Sequence, residues 1–494
     1  GSDIATPTFD KLAGNGLRYS NYHTTALCSP TRAALLTGRN PHSVGMGRVA
    51  DIVSGFPGYN SIMPASAGMI SEILVRNGYA TYLLGKWHLS PQGENQMGST
   101  RERWPLGRGF ERFYGFLGGE TDQYHPDLVY DNHQVDPPRT PEQGYHITED
   151  LADKAELFIN DLRAAHPEKP FFMWFAPGAC HAPHQAPKSF IDAYRGKFDK
   201  GWDAWREEVF ARQKKSGLLP SDTILSERPH WVPEWASLSA DEKKLYARMM
   251  EVYAGFLTHT DAQVGRVIKH IESMGELDNT LVLFMSDNGP ENANRVDPAW
   301  IKSNFDNRLE NYGRPDSFLM IGSAWAQVSA LPSRRYKMTT YQGGIRVPAF
   351  VHYPATIKPG RSEALASVRD IMPTLLQLAG ASLPGIKYRD RDIVPPQGTS
   401  ALAYLEGKDT QIHPRDEALG WEINGNASLR KGDLKLLFDT TDAAPAWRLF
   451  DLSKDPGERH DLAPQQPMQV AELLRDWKSY AQRNNIVITT EGRP

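Results

Sequence analysis

Four short apolar runs constrain the fold of this chain more than any other feature. They are "YATYLL" at 79–84, "PFFMWFA" at 170–176, "NTLVLFMS" at 279–286 and "RVPAFVHYP" at 346–354. None approaches the length of a membrane-spanning helix, and each reads as a strand buried on both faces. Segments of helical period separate or follow them. Residues 147–164 read as an amphipathic helix, 239–275 carry long helical periodicity, and "VRDIMPTLLQLAG" follows the last run. Strands alternating with helices predict an α/β fold. Its large, mostly parallel sheet is sandwiched by helices.

Helix starts add detail. Thr6-Pro7 reads as an N-cap followed by proline at the first helical position, with the helix ending near Gly14 to Gly16. Ser29-Pro30 repeats that signal, and "TRAALL" continues as helix to Gly38. After about residue 385 the texture changes. "GIKYRDRDIVPPQG" reads as a polar, proline-rich crossing. "ASLRKGDLKLLFD" and "WRLFDLSKDPGE" then read as antiparallel strands, and "MQVAELLRDWKSYAQ" as a closing helix. We therefore expect a catalytic-sized domain over 1–385 and an α+β subdomain over 386–494. Residues 200–235 read as an insertion whose Trp202 and Trp205 serve packing rather than base stacking.

A net charge of −4 gives no general attraction for nucleic acid. Two cysteines in 494 residues supply neither a disulfide framework nor a cysteine zinc site. They point to a reducing compartment, cytoplasmic rather than periplasmic. The chain opens without an initiator methionine or a signal-peptide pattern, so its natural start is expected upstream.

The scarce Cys28 sits at a helix start in "LCSPTRAALLTGR", with Arg32 one turn on. In α/β sheets ligands gather where strands end and helices begin, and helix N-termini favour anions. Taken alone, a small buried cysteine beside a surface arginine is the ordinary reading. Lys86 and His88 follow the first apolar run two residues apart, so an extended segment would point both the same way. His181 follows the second run, with His184 close by and read as structural. Asp287-Asn288-Gly289 ends the third run. It is a common turn sequence, and it also offers two hard oxygens suited to calcium or magnesium. Lys337 precedes "TTYQGGIRVP".

The C-x-P-x-R pattern at Cys28 resembles the sulfatase signal for oxidising cysteine to formylglycine. The resemblance extends through "GKWHL", "CHAPHQAP", "SDNG", "KMTTYQGGIRVP" and "LFDLSKDPGERHDLA". It is that of a bacterial arylsulfatase of the alkaline-phosphatase superfamily. It implies an alkaline-phosphatase-like sheet and hydrolysis of sulfate esters, aryl sulfates above all. The route implied is a formylglycine-diol nucleophile and a sulfo-enzyme intermediate. By resemblance Cys28, Arg32, Lys86, His88, His181, Asp287 and Lys337 form the catalytic set. Asp287, Asn288 and the modified Cys28 bind one divalent cation, calcium or alternatively magnesium. Asp287 assists the attacking hydroxyl, and Arg32 holds the formylglycine. Lys86 and Lys337 balance the sulfo charge, His181 with Lys337 protonates the leaving alcohol, and His88 takes a proton in the elimination step. The implied partners are a small-molecule sulfate ester and a formylglycine-generating maturation enzyme, with neither nucleic acid nor membrane. Gln342 departs from the pattern, which has Glu there. Members of this group open with a strand ending in two metal-binding aspartates, and "GSDIATP" resembles the segment just after it. An upstream strand with two aspartates is therefore expected. Two alternatives remain: a phosphonate or phosphodiester hydrolase of the same superfamily, and an inactive binding protein of the same fold.

Overall fold

The computed structural model describes residues 3–292, 298–382, 387–388, 391–442 and 444–488. The first apolar run forms the strand Ala80–Lys86, which starts one residue later and ends two residues later than its sequence pattern. It pairs in parallel with Arg112–Phe116 on one side and Phe171–Ala176 on the other. Two short antiparallel strands extend this sheet to five. Side chains alternate across it as strand geometry demands. Tyr82 and Leu84 face the helices Ile147–Ala165 and Ala240–Ser273, packing with Leu151, Phe158, Val267 and Ile271. Leu83 faces the opposite layer, with Ala33, Leu36, Ile73 and Met372.

A second sheet has the order Gly360–Ser362, Leu17–Tyr19, Ala349–His352, Val282–Met285. Its first pair is parallel and the other two are antiparallel. The α/β sandwich is therefore as expected, while its strand pairing is mixed and runs in two ladders. Among the described residues, the strands Phe171–Ala176 and Val282–Met285 are free edges of these ladders. Both line one cavity of about 1530 Å3, and their apolar side chains stay half-buried along it.

The 34-residue helix Ala240–Ser273 begins at a capping box, with Ser239 and Glu242 satisfying each other's backbone N–H groups. One helix-start reading is corrected, and the other holds in position. Ser29 is not a cap. The helix Cys28–Thr37 begins two residues earlier than that reading, with Leu27 at the N-cap position, and the Ser29 hydroxyl accepts from the Ala50 N–H. Thr6 occupies the N-cap position of Pro7–Gly14 but makes no capping hydrogen bond. Gly38 ends the Cys28 helix with φ +63, a conformation that suits glycine.

At the C-terminal end, four strands form an antiparallel meander, Ala418–Ile423, Asn426–Lys431, Leu434–Phe438 and Trp447–Asp451. The helix Pro467–Arg483 packs Leu473, Trp477 and Tyr480 against it. The first of these strands was not read from the sequence. Of the proline-rich crossing before it, Gly385, Ile386, Arg389 and Asp390 lie outside the described residues. In the 200–235 segment, Trp202, Trp205 and Trp235 pack edge-on around Trp325 as a buried aromatic cluster. No helix among the described residues is long and apolar enough to cross a membrane.

Candidate active site

Three strand ends and one helix start meet at one point. Lys86 ends its strand, His181 follows Phe171–Ala176, and Asp287 follows Val282–Met285. Cys28 opens its helix, where unpaired N–H groups create a positive field. The Cys28 thiol donates to Asn288 Oδ1 at 3.3 Å. Arg32, one turn further on, donates from Nε to Asp287 Oδ2 at 3.3 Å and from Nη1 to the Lys86 carbonyl at 2.6 Å. Its guanidinium also stacks over Trp174, 5.2 Å from the ring centre. Cys28, Arg32 and Lys86 are all buried.

Lys337 reaches the same point from a separate loop and is 1% exposed. Its Nζ donates to Glu291 Oε1 at 3.1 Å. Its own N–H donates to the Pro290 carbonyl, and the next N–H, of Met338, donates to the Ala26 carbonyl. The loop is thus tied both to the Asp-Asn-Gly turn and to the approach to Cys28. The turn itself lies hard against it. The Gly289 N–H donates to the Gly344 carbonyl, and a Cβ on Gly289 would stand 1.8 Å from the Gly343 oxygen. Only glycine permits that approach.

His181 Nε2 lies 3.2 Å from Glu291 Oε2, and Nδ1 lies 3.5 Å from Glu120 Oε2. Glu291 therefore bridges Lys337 and His181. His88 Nε2 lies 2.7 Å from Asp51 Oδ2. The expectation that Lys86 and His88 share a direction by strand alternation is corrected. The strand ends at Lys86, and His88 has a left-handed backbone with φ +55. A hydrogen bond from the His88 N–H to the Leu117 carbonyl holds this turn. A Cβ on Gly119 would come within 2.7 Å of the His88 ring. His184 is buried against Tyr253, and burial holds its pKa down to about 4.

Electrostatically, cations surround the Cys28 thiol and Asp287, while Glu291 pairs with Lys337 and His181 and Asp51 with His88. Burial and Asp287 push the Cys28 thiol up, yet Lys337 and Lys86, with a smaller pull from His88, bring it down to about 6. Burial likewise opposes ionisation of Asp287, but Arg32, Lys86, Lys337 and His181 hold it at about 2. Burial lowers the Lys86 pKa. Such a pocket suits a tetrahedral oxyanion. For a hard dication, which takes six or more oxygen ligands, Asp287 and Asn288 supply two. Cys28 is adjacent, but no group of three His, Cys, Asp or Glu residues poised for a metal occurs among the described residues. The residues present therefore fit part of a coordination shell.

Asp51, Glu120 and Glu291 were not read from the sequence. Glu291 had a signal, lying four residues past Asp287 in "SDNGPEN". Asp51 had none, since it comes from a loop 37 residues before its partner His88.

The sulfatase family model matches residues 1–381. An uncharacterized sulfatase of Schizosaccharomyces pombe is 36% identical over 99% of this chain and 91% of its own length. An arylsulfatase of Klebsiella aerogenes is 31% identical over 83% of this chain and 88% of its own. Among solved structures, Ps i-CgsB in complex with k-i-k-neocarrahexaose superposes with a TM-score of 0.67 at 23% identity. That match covers 100% of this chain and 90% of the other, and it shows a shared fold.

Proposed function

This chain belongs to the sulfatase family, whose reaction is hydrolysis of sulfate esters, and we propose that its own substrates are aryl sulfates. The observation that carries the reading is the buried Cys28 at a helix start, ringed by Lys86, Lys337 and the Arg32–Asp287 pair. In this reading a maturation enzyme converts Cys28 to formylglycine, whose hydrated aldehyde supplies the nucleophile. A divalent cation, calcium or alternatively magnesium, would be held by Asp287, Asn288 and the modified Cys28, and would neutralise charge on the sulfo group.

The chain's own residues do the rest. Lys86 and Lys337 bind the sulfo oxygens, whose charge a transition state of this kind needs clamped. Asp287, ionised because four cationic groups face it, accepts the proton of the attacking hydroxyl. Arg32 orients Asp287 through the 3.3 Å contact. His181, held by Glu291, donates a proton to the leaving oxygen. His88, held by Asp51, takes the proton released when the aldehyde re-forms.

Residues 1–385 form the catalytic domain in this proposal, and 386–494 a C-terminal α+β subdomain. An upstream strand carrying two aspartates completes the cation's shell. What supports it is the cavity walled by two free strand edges, Phe171–Ala176 and Val282–Met285, which opens onto Cys28 and Asp287. Unpaired edges of this kind accept a further strand. A cytoplasmic location remains part of the same reading.

A panel of aryl, alkyl and sugar sulfates with an aryl phosphodiester tests the function. The highest kcat/KM should fall on an aryl sulfate. Preference for the phosphodiester, or turnover of no ester by protein carrying the modification, overturns it.

A further inference from the structure

We propose that Glu458, in the C-terminal subdomain, is a positioning residue for the active site. It sets the loop that carries Lys337 and, through that loop, the Asp-Asn-Gly turn. This rests on the reading that Lys337 acts on the sulfo group. Glu458 and Lys435 are both fully buried and lie 2.6 Å apart. The second Glu458 oxygen accepts the Gln342 N–H at 2.7 Å, and Lys435 Nζ donates to the Thr340 carbonyl at 2.6 Å. The pair therefore grips both sides of the peptide that follows Lys337. The Glu458 carbonyl accepts from Arg334 at 3.3 Å, on the other side of Lys337. Glu458 has φ +53, so its backbone is held in the left-handed region while its carboxylate makes these bonds.

From this anchor the chain leads directly to the site. Gln342 begins the turn Gln342–Ile345, whose Gly344 carbonyl holds the Gly289 N–H. Five residues before it, the Lys337 N–H bonds to Pro290. With the Gly343 carbonyl pressed on Gly289, the loop and the turn move together or not at all. Gln342 stands where the family pattern has Glu. Its side-chain oxygen lies 3.0 Å from His23 Nε2, while its backbone N–H is held by the Glu458 carboxylate.

Removing one member of a buried ion pair leaves an unpaired charge and is strongly destabilising, whereas replacing both with apolar groups is tolerated. The test therefore uses double variants. Lys435→Met/Glu458→Gln keeps an acceptor for the Gln342 N–H, and Lys435→Met/Glu458→Leu removes it. The Gln form should keep kcat within a few-fold of the parent. The Leu form should lose about 10²-fold in kcat, the cost of misplacing catalytic groups by roughly an ångström. Amide exchange should rise at 286–291 and 334–345 in the Leu form alone, with 426–438 unchanged. That readout needs no turnover, so it separates failure of this proposal from failure of the sulfatase reading. Equal kcat in the two forms overturns the positioning role. So does exchange that rises equally across 426–438, because Glu458 would then only hold the subdomain together. If the Leu form fails to fold, the Gln form decides: loss of protection at 334–345 there overturns the claim that the acceptor is what matters.

Discussion

The cation cluster makes a strong prediction for protein produced without the maturation enzyme, in which Cys28 remains a thiol. Its pKa lies at about 6 instead of 9, so at pH 7 about nine-tenths of it is thiolate. This corresponds to about 4 kcal/mol in favour of the charged form, set against burial and the neighbouring Asp287. The other thiol does not interfere, because burial pushes Cys180 up to about 12. Thiolate ultraviolet absorbance followed against pH should therefore show one transition near pH 6, absent from Cys28→Ala. Lys337→Met removes the strongest opposing cation and should move the transition toward 9, and Lys86→Met should do so less. Inorganic sulfate bound in the pocket should also raise it, since an anion competes for the same cations. A wild-type transition at 9 or above would refute the electropositive pocket. Variants that leave the transition in place would show that these lysines do not create it.

His413 supplies a pH test of stability. Burial opposes its charge, but hydrogen bonds to Asp370 and Glu417 at 2.8 and 2.9 Å raise its pKa to about 9. The folded protein holds this proton more tightly than the unfolded chain. Its contribution, about 3 kcal/mol, is present below pH 6.5 and lost as pH rises through 9. Urea melts of the Cys28→Ala protein, which lacks the opposing thiol, should show this decline, and His413→Gln should flatten it. Gly289→Ala puts a Cβ against a backbone oxygen that cannot yield, and kcat should fall about 10²-fold by displacement of the turn. An unchanged kcat would mean that the turn tolerates movement. His181→Ala should cost more on an alkyl sulfate than on a nitrophenyl sulfate, because a general acid matters most for a basic leaving oxygen. Equal losses would mean that His181 only binds.

The elements legible in the sequence were those whose pattern is local. The run 79–84 and the period over 239–275 announced Ala80–Lys86 and Ala240–Ser273 within two residues at each end. The motifs that meet at the candidate site were legible for the same reason, since each is a short word. What escaped was set by contacts between distant parts of the chain. Ser29 looked like a cap, but its hydroxyl is taken by the Ala50 N–H and the helix starts at Cys28 instead. Lys86 and His88 looked like neighbours on one strand face, but the backbone turns left-handed at His88 to dock on Leu117. Asp51 could not be read at all, because nothing in its own sequence surroundings marks it as the partner of His88. The strand Ala418–Ile423 begins with an alanine and has a glycine at Gly420, where the Tyr480 ring packs against it. It is held by its neighbour and the helix behind it rather than by its own composition. The two-ladder form of the main sheet likewise depends on which strands meet, a property no single run encodes.

The most direct test of the central claim is the mass of the peptide spanning Cys28 in protein that hydrolyses an aryl sulfate. Conversion is expected, with the thiol's sulfur and two hydrogens replaced by one oxygen, and activity should rise in proportion to the converted fraction. Full activity in protein whose Cys28 peptide carries only the intact thiol would contradict it.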